Sequence, residues 1–429
     1  MYLFFWGGVV IELTWPPPRQ KPMHATEKHI REKYPSAVYV HCASHSLNLC
    51  LEKGSNIVEI ASCITLMRDI ISFFRDSNKR IEMLKQYIDE NFSDIKKDRL
   101  KKFCPTQWVE SQESTLTFKT LYPAIKGVLG GMANGNIPVI GEIAGKAQRY
   151  MKGITRDSFI VCLKVLSAIL SITRPVSVLQ QGVDNDILKG IDTIETCEKV
   201  LEKMRHDDTF SKIFNQLEDD LGEEIQRPRV VSRQTTRSNP PSENAFEYYK
   251  RAIFLPYIDT IISQIRERFR EHKRLFEKLA PLMPNRSVLD SMNFEDDLEA
   301  SILIYQKFLP GDIQEIGSEF KRWQLIWREK SDKLPVSILD AYKTCKELGS
   351  SSFPNIEVLL KIFATLPLTM ASSERSFSAL KYVKNYLRST MNETRLNGLS
   401  VLYIHKDIAL DTEAVIDELG RKNRLLKLN

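Results

Sequence analysis

The stretch Leu368-Thr-Met-Ala-Ser-Ser-Glu-Arg-Ser-Phe-Ser378 sets a single carboxylate, Glu374, at the head of a segment whose apolar residues Phe377, Leu380, Val383 and Leu387 recur at 3-3-4 spacing. That period marks one face of an α-helix. Glu374 precedes Phe377 by three positions, so it shares the inward face with that stripe. Ser372 or Ser373 can accept from the orphan amides of the first turn, and the helix dipole favours an anion there. On the residues alone, Glu374 reads either as an ordinary acid of a first helical turn or as a carboxylate held for chemistry.

Helical periodicity extends from this stretch through most of the chain. Ile57, Ile60, Ile64, Met67, Ile71 and Phe74 form one stripe, and Ile81, Leu84, Ile88 and Phe92 another. The segment from Phe159 to Leu179 is apolar nearly all round, which predicts a central helix with a kink or stop at Pro175. Further helices are expected near 183–205, 208–224, 245–279, 295–308, 313–330, 338–348 and 355–366. The one strand signal is the β-rich run Ala37-Val-Tyr-Val-His-Cys42, after the Tyr34-Pro35 break.

A chain of 429 residues can bury two or three cores, and 42% hydrophobic with 27% charged residues is ordinary for a globular protein. The net charge of +6 permits nucleic-acid contact without arguing for it, since a dedicated binding domain clusters its basic residues. Seven scattered cysteines with no Cys-x-x-Cys pair predict free thiols, mostly in the core, and a reducing compartment. The apolar opening of the chain lacks a basic flank and a small-residue cleavage site, so a signal peptide is not expected. No uninterrupted apolar run approaches eighteen residues, so no membrane association is expected.

Three segments could carry chemistry. Cys42-Ala-Ser-His45 has the spacing of half a zinc site, but no second pair completes four ligands, so no metal is assigned. Trp108, in Cys104-Pro-Thr-Gln-Trp108, reads as a packed indole or as a ring that stacks on an unpaired base. The stretch from Arg227 to Ser242 contains Arg227, Arg229, Arg233 and Arg237, three prolines and no acid. It reads as a solvated connector or as a loop contacting phosphates.

Taken together these phrases resemble the hAT transposase superfamily. Ala371-Ser-Ser-Glu-Arg-Ser-Phe-Ser378 is similar to that family's closing signature, His41-Cys-Ala-Ser-His-Ser-Leu-Asn-Leu49 to its entry into a helical insertion, and Cys104-Pro-Thr-Gln-Trp108 to its Cys-Pro-Thr-Arg-Trp phrase. Gln107 stands where the family carries Arg, which removes a phosphate-binding fork. The phrase Arg395-Leu-Asn-Gly-Leu399 is similar to zinc finger MYM-type relatives within the superfamily. The resemblance implies that Glu374 is the last acid of an RNase H-like site, that Cys42 and His45 shape the site that holds nucleic acid, and that Trp108 contacts it. It also implies a C-terminal dimerisation segment, to which Phe377, Leu380, Leu396, Leu399 and Leu402 would contribute.

Such a nuclease holds two metal ions with two Asp and one Glu. The window from Pro16 to Ile30, where the family places its second Asp, holds no Asp, and Glu27 is its only carboxylate. The expected fold is therefore mainly α, with a truncated RNase H-like (α/β) core interrupted by a large all-helical insertion domain. Its parts would be an incomplete core at 1–45, the insertion at 46–350 and the hAT C-terminal region at 351–429. The expected function is that of a catalytically incomplete, transposase-derived homodimer in the nucleus, not an enzyme, with weak nucleic-acid contact and no small-molecule substrate. Glu374 would be vestigial, and Mg²⁺ would enter only if a longer form supplied the missing Asp residues.

Overall fold

The computed structural model describes residues 2–6, 9–13, 32–33, 39–41, 43–92, 94–95, 99–103, 108–179, 187–206, 208–229, 240–283, 302–303, 305–329, 334–366, 380, 382–384, 390–404 and 411–421. They divide between two compact units, Met1–Thr369 and Met370–Asn429. The described residues are mainly helical, as the periodicity predicts.

The first unit opens with β1 (Tyr2–Trp6), β2 (Val9–Leu13) and β3 (Tyr39–His41), an antiparallel sheet of order β2-β1-β3 in which Tyr2 pairs with both Leu13 and His41. β3 falls inside the expected strand. Helices α1 (Ala43–Gly54), α2 (Val58–Arg75), α3 (Asn78–Asn91), α4 (Trp108–Ala133), α5 (Gly141–Ile154) and α6 (Asp157–Leu179) follow. The stripes at 57–74 and 81–92 become the buried faces of α2 and α3, including Ile60, Met67, Ile71, Leu84 and Ile88.

Helix α6 is the axis of this unit. It is long and apolar enough to pass for a membrane span by composition, yet thirteen of its side chains are buried, among them Val161, Leu166 and Ile169. Its neighbours α2 and α4, with α7 (Ile187–His206) and α8 (Thr209–Leu221), supply that cover. Each large aliphatic side chain buried this way contributes about 1.5–3 kcal/mol, so α6 is a core helix. Pro175 lies inside it without ending it.

A short helix, α9 (Ala245–Tyr249), passes through a π-helical turn (Lys250–Phe254) into α10 (Leu255–Leu279). The unit closes with α11 (Ile313–Glu329), α12 (Ile338–Glu347) and α13 (Pro354–Thr365). Trp323 on α11 donates its indole N–H to Leu282 O at 3.0 Å and meets Trp327 and Phe353 edge-on. The expected C-terminal region begins at 351, whereas α13 packs with α11 and α12 and belongs to the first compact unit.

In the second unit Leu380, Tyr382 and Val383 are helical, and α14 (Glu393–Ile404) and α15 (Thr412–Gly420) follow. Helix α14 is set by its cap, since Asn392 Oδ1 accepts from Arg395 N at 2.9 Å. Asp411 does the same for α15, accepting from Glu413 N and Ala414 N.

Candidate self-association surface and arginine groove

The expected site residues fall in three groups. Glu374, Phe377, Cys42, Arg233 and Arg237 lie outside the described residues. His45 is placed on α1 and Trp108 is the first residue of α4, with only their backbone described. Arg227, Arg229, Leu380, Leu396, Leu399 and Leu402 are described in full.

On the second unit, α14 buries none of its residues. Leu396 and Leu399 are half-buried, while Val401, Leu402, Tyr403 and Ile404 are 40–51% exposed in one unbroken run. Tyr403 stacks on Tyr382 with centroids 6.2 Å apart, which ties α14 to the segment holding the buried Val383. Val415 and Ile416 add exposed apolar area on α15. Apolar residues surround α14, so no single contact face can cover them all.

On the first unit, Arg227 and Arg229 sit on a segment pinned at several points. Ile225 N donates to Glu218 Oε1 at 3.1 Å and Gln226 N to Asp157 Oδ2 at 2.7 Å, and the Tyr249 hydroxyl donates to Gln226 O at 3.0 Å. Arg227 Nη1 donates to Ser242 O at 3.0 Å, and Arg251 Nη1 donates to Pro241 O at 2.7 Å. The two ends of the expected connector are thus fixed and its first arginines positioned. Arg149 on α5 and Arg156 at the head of α6 join them in the lining of one open groove of about 1010 Å³. Arg149 and Arg156 escape a sequence reading because they are separated from Arg227 by some seventy residues and share no motif with it.

The described thiols are core groups. Cys50, Cys63, Cys162, Cys197 and Cys345 are free and buried, as expected for core residues. Burial pushes Cys50 and Cys197 up to about 12 and raises Cys63 and Cys162 as well, so none forms a thiolate readily. Among the described residues no three His, Cys, Asp or Glu side chains gather to hold a metal ion. The described residues thus hold no donor set for a nuclease's Mg²⁺ pair.

Residues 324–408 match the family model of the hAT family C-terminal dimerisation region. The matched segment includes Trp327, Phe353, α12, α13 and α14. The chain is also similar to the 52 kDa repressor of the inhibitor of the protein kinase from Mus musculus, at 28% identity over 408 residues, covering 92% of this chain and 53% of that protein. The Homo sapiens protein of the same name is 27% identical over 407 residues, covering 92% and 52%. The chain spans about half the length of the curated relatives it matches.

Proposed function

We propose that this chain is a transposase-derived, catalytically incomplete regulator that self-associates through its hAT C-terminal segment. One observation carries the reading: within the stretch that matches the dimerisation region, α14 leaves Val401, Leu402, Tyr403 and Ile404 open to solvent. Exposed apolar surface on several sides of a helix marks an interaction site, and a symmetric second copy of the chain is the simplest cover. The relatives' name contains the word repressor, which supports a regulatory role and, with it, a nuclear location. The phrase His41-Cys-Ala-Ser-His-Ser-Leu-Asn-Leu49, which begins at the end of β3 and runs into α1, supports an RNase H-like ancestry for the start of the chain. Light scattering on the purified chain tests the proposal: a dimer is expected at micromolar concentration, and a stable monomer there overturns it.

A second reading makes this chain part of an active, metal-dependent hAT transposase. It rests on the chain spanning about half the length of its relatives, which leaves room in a longer protein for the two missing Asp residues. Metal-dependent strand transfer by such a longer form, lost in Glu374→Gln, would select this reading.

A further inference from the structure

We propose that the groove between α2, α5, the head of α6 and the segment after α8 binds a compact anion bearing several phosphate groups, a ligand the dimerisation reading neither requires nor supplies. Arg149, Arg156, Arg227 and Arg229 converge on this groove from three separate elements, facing the two carboxylates of Glu59 and Asp157. Four guanidinium groups against these two carboxylates leave the lining with an excess of positive charge, and Asp157 also accepts from the Gln226 amide. A guanidinium presents a planar fork of donors that matches phosphate oxygens, and four of them around one space suit several phosphates at once.

Helices α2 and α6 both begin at this groove, where Glu59 and Asp157 in their first turns offset the positive helix ends, so the four arginines carry the excess positive charge. Ile57, at the start of α2, supplies no side-chain cap. The rim is also rigid, because the buried Tyr249 and the Arg227–Ser242 bond hold the 225–229 segment in place. A preorganised rim loses less on binding than a loop that must be ordered.

Size and wall chemistry select the ligand. About 1010 Å³ lies at the upper end of small-molecule sites, which span roughly 300–1,000 Å³. The aromatic side chains of its wall, Phe159, Tyr248 and Tyr249, are 5%, 1% and 1% exposed, so no ring face is open for a base. Single-stranded nucleic acid is usually held by such stacking along an extended basic track. The ligand is therefore read through its phosphates alone.

Calorimetric titration of the full chain with sodium tripolyphosphate and, separately, inositol hexakisphosphate at fixed ionic strength tests this. Binding of at least one probe is expected, and their ranking separates a linear from a ring-borne phosphate array. Arg149→Ala/Arg156→Ala and, independently, Arg227→Ala/Arg229→Ala should each weaken it at least tenfold, whereas Lys212→Ala, on an exposed face of α8 away from the groove, should not. All the substituted arginines are exposed, and an unchanged circular-dichroism melt confirms that the variants fold. Absence of binding by both probes at millimolar concentration, or equal affinity in every variant, overturns the proposal. So does a single-stranded oligothymidylate that binds more tightly than either probe with the same arginine dependence, because the groove would then be a nucleic-acid track.

Discussion

Asn355 donates its side-chain Nδ2 to Glu319 Oε2 at 2.7 Å, and both residues are buried. The other oxygen of Glu319 accepts from Ile356 N at 2.7 Å, while Asn355 Oδ1 accepts from Gly311 N at 3.0 Å. A carboxylate on α11 thereby satisfies orphan amides at the head of α13, and one asparagine links it to the loop before α11. An anion at a helix N-terminus is favoured by the dipole.

Removing that carboxylate leaves two buried donors without an acceptor. Each such loss costs about 1–3 kcal/mol, so Glu319→Ala should lower stability by about 2–3 kcal/mol or more once the cavity is counted. Urea unfolding followed by circular dichroism measures it. A loss below half a kcal/mol would mean that α13 does not depend on this cap.

Burial raises the pKa of Glu319, against the opposing pull of its hydrogen bonds to Ile356 and Asn355. The folded group therefore holds its proton to higher pH than the unfolded one. Its contribution to stability is complete below the ordinary carboxylate range and is lost as pH rises through that range toward the raised folded value. Urea midpoints across this window should fall with pH in the wild type. Glu319→Gln, which cannot ionise, should reduce that slope while costing part of the stability.

Helix α4 passes so close to α3 that a Cβ on Gly127 would fall inside the van der Waals envelope of the Tyr87 phenol. Gly127→Ala must displace the outer end of that half-buried ring, at a cost toward the lower end of the about 1–3 kcal/mol seen for overpacking. The better helix propensity of Ala offsets at most about 1 kcal/mol of it. Thermal melts should show a destabilised Gly127→Ala chain that Tyr87→Ala partly rescues. Additive losses in the double variant would remove the contact from the explanation.

How much of this was legible beforehand depends on how many sides of a helix are buried. α7, α8, α11, α12 and α13 end within a few residues of their expected limits because each has one apolar stripe with polar residues opposite. α4 and α5 had no specific expectation. α4 buries polar Ser111, Gln112, Thr115 and Thr117 with Phe118, Ile125 and Leu129, and carries Pro123 and a Gly-Gly pair, so its period is blurred. Glu319 was hidden for a different reason. A glutamate in an amphipathic helix reads as solvent-facing, and its partner Asn355 lies thirty-six residues away. The expected helix near 295–308 falls largely outside the described residues; of those described, Ile302, Leu303 and Tyr305 are helical and Gln306–Phe308 form a 3₁₀ turn.

No metal-dependent strand cleavage is expected from the 429-residue chain. Its sequence offers Glu374 as the one acid matching the family pattern, and a hard divalent pair needs several anionic oxygens. Incubation with Mg²⁺ or Mn²⁺ and a hairpin duplex, read on a denaturing gel, should leave the substrate intact. Product that disappears in Glu374→Gln would restore this residue to a catalytic role.

Self-association should depend on α14 more than on any other element of the second unit. Leu402 is 49% exposed beside Val401, Tyr403 and Ile404, so a charge there perturbs few contacts within the chain. Across an apolar interface the same charge would be desolvated without a partner, at a cost of several kcal/mol for each copy. A two-fold axis places the substitution twice in one interface, which doubles the penalty. An obligate interface of about 2,000 Å² or more would not survive that, so Leu402→Asp should run as a monomer in light scattering with its helix content intact. Leu399→Asp, half-buried beneath the same surface, should also dissociate the dimer and lower the melting temperature. A Leu402→Asp chain that remains dimeric would move the interface off α14, to α15 or to the α11–α13 stretch within the matched region.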